Sequence, residues 1–130
     1  MFSLKDQVAI VTGGAKGIGK GIATVLAKAG AQVVIADIDI EAGQSAAEQL
    51  GATFVTLDVT DKAACQTVVD SVLERYGRLD ILCSNTGIFP QAALDVMTTE
   101  NWDQMMDVNL RSTFFMVQAV LPSMRQRGYG

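Results

Sequence analysis

Val8-Ala9-Ile10-Val11-Thr12-Gly13-Gly14-Ala15-Lys16-Gly17-Ile18-Gly19 is the stretch that decides how this chain folds. An apolar run stops at the spaced glycines Gly13, Gly17 and Gly19, and a helical pattern begins at once. A strand that ends in a glycine turn at a helix N-terminus is a recurrent way to hold a phosphate or pyrophosphate. The helix start offers unpaired N–H groups and a partial positive charge, and glycine lets an anion approach the backbone. Glycine turns are common, so the motif also needs an acidic residue after the next strand.

Asp37 is that residue. Gln32-Val33-Val34-Ile35-Ala36 reads as a second apolar strand, and Asp37 stands at its end, 24 positions after Gly13. A carboxylate there can accept hydrogen bonds from both hydroxyls of an adenosine ribose and repels a 2′-phosphate, which favours NAD over NADP. Lys16, inside the turn, points the other way, since a cation can pair with that phosphate. Asp37 carries more weight, because its repulsion acts directly at the ribose edge. Two rival readings of the turn arise. Gly14, Gly19 and Lys20 nearly spell a triphosphatase phosphate loop, but position 21 is Gly where a Ser or Thr must hold magnesium. A methyl-donor-binding fold also uses a glycine turn followed by an acidic residue, and the turn alone does not exclude it.

The 130 residues have room for one domain with a real core. With 49% hydrophobic and 18% charged residues, the composition is that of a globular protein built on a buried sheet. A net charge of −4 without a basic cluster argues against nucleic acid or an anionic membrane as partner. No stretch approaches bilayer-spanning length and the N-terminus has no apolar signal core, so a cytoplasmic location is expected. Cys65 and Cys83 fall at unpaired spacing and are expected as reduced, buried thiols. With no histidine, neither a zinc site nor a Ser-His-Asp triad is expected, and no metal is assigned.

Strand and helix patterns alternate along the chain. Strands are expected at 8–12, 33–36, 53–57 and 79–83, short and rich in Val, Ile and Leu as in a parallel sheet buried on both faces. The first helix is expected to bury a stripe of Ile18, Ile22, Val25, Leu26 and Ala29. A second helix is expected over 41–50, and a third presents Cys65, Val68, Val69, Val72 and Tyr76. The alternation implies an α/β, Rossmann-like doubly wound parallel sheet between two helix layers, with strand order 3-2-1-4. From 102 to 124 the chain reads helical with an interruption near Asn109, and its second part is apolar nearly all round. That extra apolar face is covered either by other parts of the chain or by a second subunit.

The ordered motifs resemble the short-chain dehydrogenase/reductase family from about Lys5 to Gly130. Thr12-Gly13-x-x-x-Gly17-x-Gly19 is similar to its cofactor turn, and Asp58-Val59 to its adenine-contacting pair. Ser84-Asn85-Thr86-Gly87 is similar to its Asn-Asn-Ala-Gly element, with Ser84 and Thr86 as departures. Asn109, in Val108-Asn109-Leu110, matches the helix Asn the family counts as catalytic. The resemblance implies that Gly13 makes the tight turn, Gly17 admits the pyrophosphate, Gly19 packs helix on strand and Ile18 walls the nicotinamide end. It implies a cofactor-binding set of Gly13, Lys16, Gly17, Ile18, Gly19, Asp37, Asp58, Val59, Asn85 and Gly87. Asn109 would break its own helix ladder and anchor a water of the proton relay.

The family's catalytic Ser and Tyr-x-x-x-Lys pair find no match within these residues, and no Lys follows Tyr129 at the needed spacing. The expectation is therefore one dinucleotide-binding domain, 1–130, truncated before that segment and inactive alone. In a complete protein it would serve hydride transfer between NAD and a hydroxyl or ketone of a small molecule. Association into a dimer or tetramer through the 110–124 helix is expected as well. A non-catalytic dinucleotide-binding or sensing protein is the alternative, and a methyl-donor-binding one is disfavoured by Asp58, Asn85 and Asn109.

Overall fold

A computed structural model of the chain describes residues 2–130. The elements are β1 (Val8–Thr12), α1 (Gly17–Lys28), β2 (Gln32–Asp37), α2 (Ile40–Leu50), β3 (Thr53–Thr56), α3 (Lys62–Tyr76), β4 (Ile81–Cys83), α4 (Thr99–Met106) and α5 (Ser112–Arg127). A π-helical turn, Asp107–Arg111, joins the last two helices. The four strands pair in parallel in the order β3-β2-β1-β4. Strands buried on both faces send alternate side chains to opposite layers. Val8, Ile10, Val34 and Ala36 meet α3 and α5, and Val11, Val33 and Ile35 meet α1 and α2. This is the expected doubly wound sheet, and it gathers the carboxyl ends of β1, β2 and β4 along one edge.

Helix boundaries follow local chemistry. Asp39, Asp61 and Thr98 cap α2, α3 and α4 by accepting from the N–H groups of Ala42, Ala64 and Asn101. Gly51 and Gly77 close α2 and α3 in the left-handed conformation. The third helix buries Cys65, Val68, Val69 and Val72, and Tyr76 packs beside them.

The stripe expected on the first helix needs correction. Ile22 and Leu26 pack against the sheet as expected, but Ile18 is 79% exposed and Val25 is 62% exposed, and Gly19 and Ala23 are the helix's fully buried residues. Close approach of helix to strand requires small side chains, so the large apolar residues at 18 and 25 are displaced to the outer face. The fourth strand is shorter than expected, beginning at Ile81, and the Asp80 side chain just before it enters an ion cluster with Arg78 and Arg127. Cys65 is buried, but Cys83, on edge strand β4, is only half-buried. Burial pushes the Cys65 thiol up to about 11 and raises that of Cys83 as well.

Candidate cofactor site

The glycine turn runs from β1 into α1 with Gly13 at φ +63° and Gly17 at φ +53°, backbone that disfavours any side chain. The Gly13 N–H donates to the Ala36 carbonyl at 2.8 Å, which locks the turn to the end of β2. A Cβ at Gly19 would run into the Gly13 carbonyl and lie 2.5 Å from Asn85 Nδ2, so only glycine fits. A Cβ at Gly17 would meet nothing within 4 Å, leaving that side of the turn open. Unlike α2, α3 and α4, α1 begins without a side-chain cap: Lys16 at its N-cap makes no such bond, and the first turn holds no acidic residue. Its first N–H groups lack a side-chain partner and keep their partial positive charge.

Asp37 lies against this turn. Its Oδ2 accepts from Ala15 N–H at 3.1 Å and its Oδ1 from Asp39 N–H at 3.0 Å. Each carboxylate oxygen keeps a further acceptor position. Beside it opens a cleft of about 170 Å³ lined by Asp37, Asp58, Val59, Thr86 and Val108 among others. The Asp58 carboxylate accepts from the Thr60 hydroxyl at 2.7 Å and the Thr60 N–H at 2.9 Å, which lower its pKa against the opposing effect of burial. The Lys16 ammonium pairs with Asp39. Asp39 was not singled out from sequence; its contact with Lys16 depends on how the turn faces the start of α2, which no local pattern encodes.

Asn85 bridges the turn and the segment after β4. Its amide donates to the carbonyls of Thr12 at 3.0 Å and Gly13 at 3.2 Å. Thr12 answers with its buried hydroxyl, which accepts from the N–H groups of Asn85 at 3.0 Å and Thr86 at 3.2 Å. Thr12 has no sequence signal beyond its place in the turn. At the first departure, the Ser84 hydroxyl meets that of Thr113 at 2.9 Å, so this position ties the segment to α5.

Asn109 departs from its expected geometry. Its Nδ2 donates to Ile88 O at 2.9 Å and its Oδ1 accepts from Ile88 N–H at 2.7 Å, so the amide leaves its helix and grips the segment after β4. The ladder is interrupted by the π-helical backbone around Asn109 rather than by the side chain. A Cβ at Gly87 would come within 3.3 Å of Asn109 Oδ1, which explains the small residue there. The structure thus brings Gly13, Gly17, Gly19, Asp37, Asp58, Val59, Asn85, Gly87 and Asn109 to one edge of the sheet. Lys16 turns to Asp39, and Ile18 stands exposed at the helix start.

The family model of short chain dehydrogenases matches residues 7–130. This chain belongs to the short-chain dehydrogenase family. Among relatives of this family, the chain is 43% identical over 129 residues to a galactitol 2-dehydrogenase of Agrobacterium fabrum, covering 98% of this chain and 50% of the relative. It is 39% identical to a sorbitol dehydrogenase of Cereibacter sphaeroides, again over 98% of this chain and 50% of the relative. A D-threitol dehydrogenase of Mycolicibacterium smegmatis is 37% identical over 99% of this chain and 52% of its own length. The crystal structure of gox2181 superposes with a TM-score of 0.93 at 40% identity, covering 98% of this chain and 52% of that one. The chain spans about half the length of the relatives it matches. Among the described residues, no helix is long and apolar enough to cross a membrane and no side-chain group is arranged to hold a metal ion.

Proposed function

We propose that this chain is the cofactor-binding unit of a nicotinamide-dependent oxidoreductase that acts on a hydroxyl or ketone of a small molecule, with NAD preferred over NADP. The observation that carries the reading is Asp37 held by the Ala15 N–H between an uncapped helix start and a cleft. The residues present fit such a group: open space at Gly17, free N–H groups at α1 and unused acceptor positions on Asp37. The N–H groups of the first turn of α1 would hold the pyrophosphate, and Asp37 would accept from the ribose hydroxyls. Asp58 and Val59 would border the adenine, with Asn85 and Gly87 forming the floor and Ile18 an apolar wall. Nicotinamide, when bound, supplies the hydride acceptor or donor.

In this reading Asn109 is a positioning residue, which holds the Ile88 backbone beside the reacting end. The relatives named for galactitol, sorbitol and threitol support a secondary alcohol of a polyol as the substrate class. We further propose that residues 1–130 form a single dinucleotide-binding domain, that the protein is cytoplasmic, and that it assembles as a homo-oligomer through the 110–124 helix. A fluorescence titration of the chain with NADH and NADPH tests the core of the reading. NADH should bind more tightly by about tenfold, the effect of one repulsive carboxylate at the ribose edge. Equal or tighter binding of NADPH would overturn the assignment of Asp37.

A further inference from the structure

Lys16 is the cation of the glycine turn, at the N-cap of α1, and by charge alone it suits a 2′-phosphate in the dinucleotide reading. Its ammonium is engaged: it pairs with Asp39 Oδ2, and Asp37 and Glu41 add to the negative potential around it. Asp39 is held in place from three directions. Its N–H donates to Asp37 Oδ1 at 3.0 Å, its Oδ1 caps α2 by accepting from Ala42 N–H at 3.0 Å, and its Oδ2 is left to face Lys16. The two oxygens of one carboxylate therefore do separate work, one closing a helix and the other restraining a cation.

We propose that Asp39 is a second determinant of cofactor choice, acting by holding Lys16 away from the 2′ position of the ribose. The inference rests on the dinucleotide reading of this site and extends it. A 2′-phosphate would have to draw Lys16 off Asp39 while approaching the carboxylates of Asp37, Asp39 and Glu41. Both partners are largely solvent-exposed, with side-chain accessibilities of 70% for Lys16 and 38% for Asp39, so the pair is weak in absolute terms. It is intramolecular, however, and an incoming phosphate must compete with a partner that is always at hand.

Asp39→Asn tests the proposal, because Asn caps a helix as well as Asp but carries no charge for the ammonium. NADH and NADPH are titrated against the full chain by fluorescence, with circular dichroism as a check on folding. The NADPH-to-NADH affinity ratio should shift toward NADPH by about fivefold at low salt, and by less as salt rises. Adding Lys16→Gln to Asp39→Asn should return the ratio to its parental value. Asp39→Ser, which also caps, should repeat the shift if the Asn variant folds poorly. An unchanged ratio in Asp39→Asn, or a gain that survives Lys16→Gln, overturns the role of Asp39 and leaves the dinucleotide reading standing. Failure of the parent chain to bind NADH overturns that reading and this inference with it.

Discussion

The tightest constraint in the molecule is a single hydrogen atom at Gly19. The turn folds back so closely that a methyl group there would strike the Gly13 carbonyl and crowd the Asn85 amide, which itself donates to Gly13 O at 3.2 Å. Neither neighbour can give way, since one is backbone and the other is pinned at both ends by Thr12. Gly19→Ala should therefore destabilise the fold by about 3 kcal/mol, read by chemical denaturation, with loss of NADH binding in titration. An alanine variant of parental stability would mean that the turn relaxes and that its closeness is not essential. The glycines and Asp37 were legible in the sequence because backbone demands leave a residue signature. The contacts of Asp39 with Lys16 and of Ile88 with Asn109 were not, because the partners lie 23 and 21 positions away.

Among the elements, the strands were the easiest to read and the helix faces the hardest. Buried parallel strands are plain apolar runs, and those of β1 and β2 fall within one residue of where the pattern put them. The most deeply buried residues of α1 are Gly19 and Ala23, flanked by Ile22 and Leu26, and those of α2 are Gly43, Ala46 and Ala47, residues too small to dominate an apolar pattern. Large residues such as Ile18 and Val25 attract attention precisely because they have not been buried. The break before α5 was visible in sequence, but its π-helical form was not, since one extra residue in a turn leaves no mark on an apolar pattern. Removing the grip of Asn109 on Ile88 should free the segment after β4 without unfolding the helices. In Asn109→Ala the Ile88 amide is expected to exchange its hydrogen about tenfold faster, the equivalent of one lost hydrogen bond. Exchange at the parental rate would show that Ile88 is held by something other than Asn109.

At the scale of the whole molecule, the two ends of the sheet have different tasks. The end opposite the candidate site is fastened by Asp80, whose carboxylate accepts from Val8 N–H at 2.8 Å, from Arg78 at 2.7 and 2.8 Å and from Arg127 at 2.8 Å. Burial would raise its pKa, but the bonds from Arg78, Val8 and Arg127 outweigh it and bring it down to about 2. A carboxylate depressed on folding stabilises the native state fully above its ordinary value of 3.8, and that contribution fades as pH falls toward 2. Asp80→Asn should lose about 2 kcal/mol at neutral pH in urea titrations, and the deficit should shrink below about pH 4. A deficit that persists into acid would mean that packing, and not charge, is what Asp80 supplies.

The outer face of α5 poses the complementary problem. Leu110 is 60% exposed and Phe114 is 57% exposed, and they line an open groove of about 710 Å³ with Met106, Val117 and Leu121. Apolar surface gathered on one helix face gains free energy by meeting a like face, and a second copy brings one by symmetry. Phe114→Glu would place a charge within this apolar groove, where contact with a second copy would have to desolvate it. The parent chain should sediment as a dimer or larger species and the variant as a monomer, with unchanged circular dichroism. A monomeric parent at high micromolar concentration would remove the case for assembly through this helix, and leave its apolar face to a covering outside these residues.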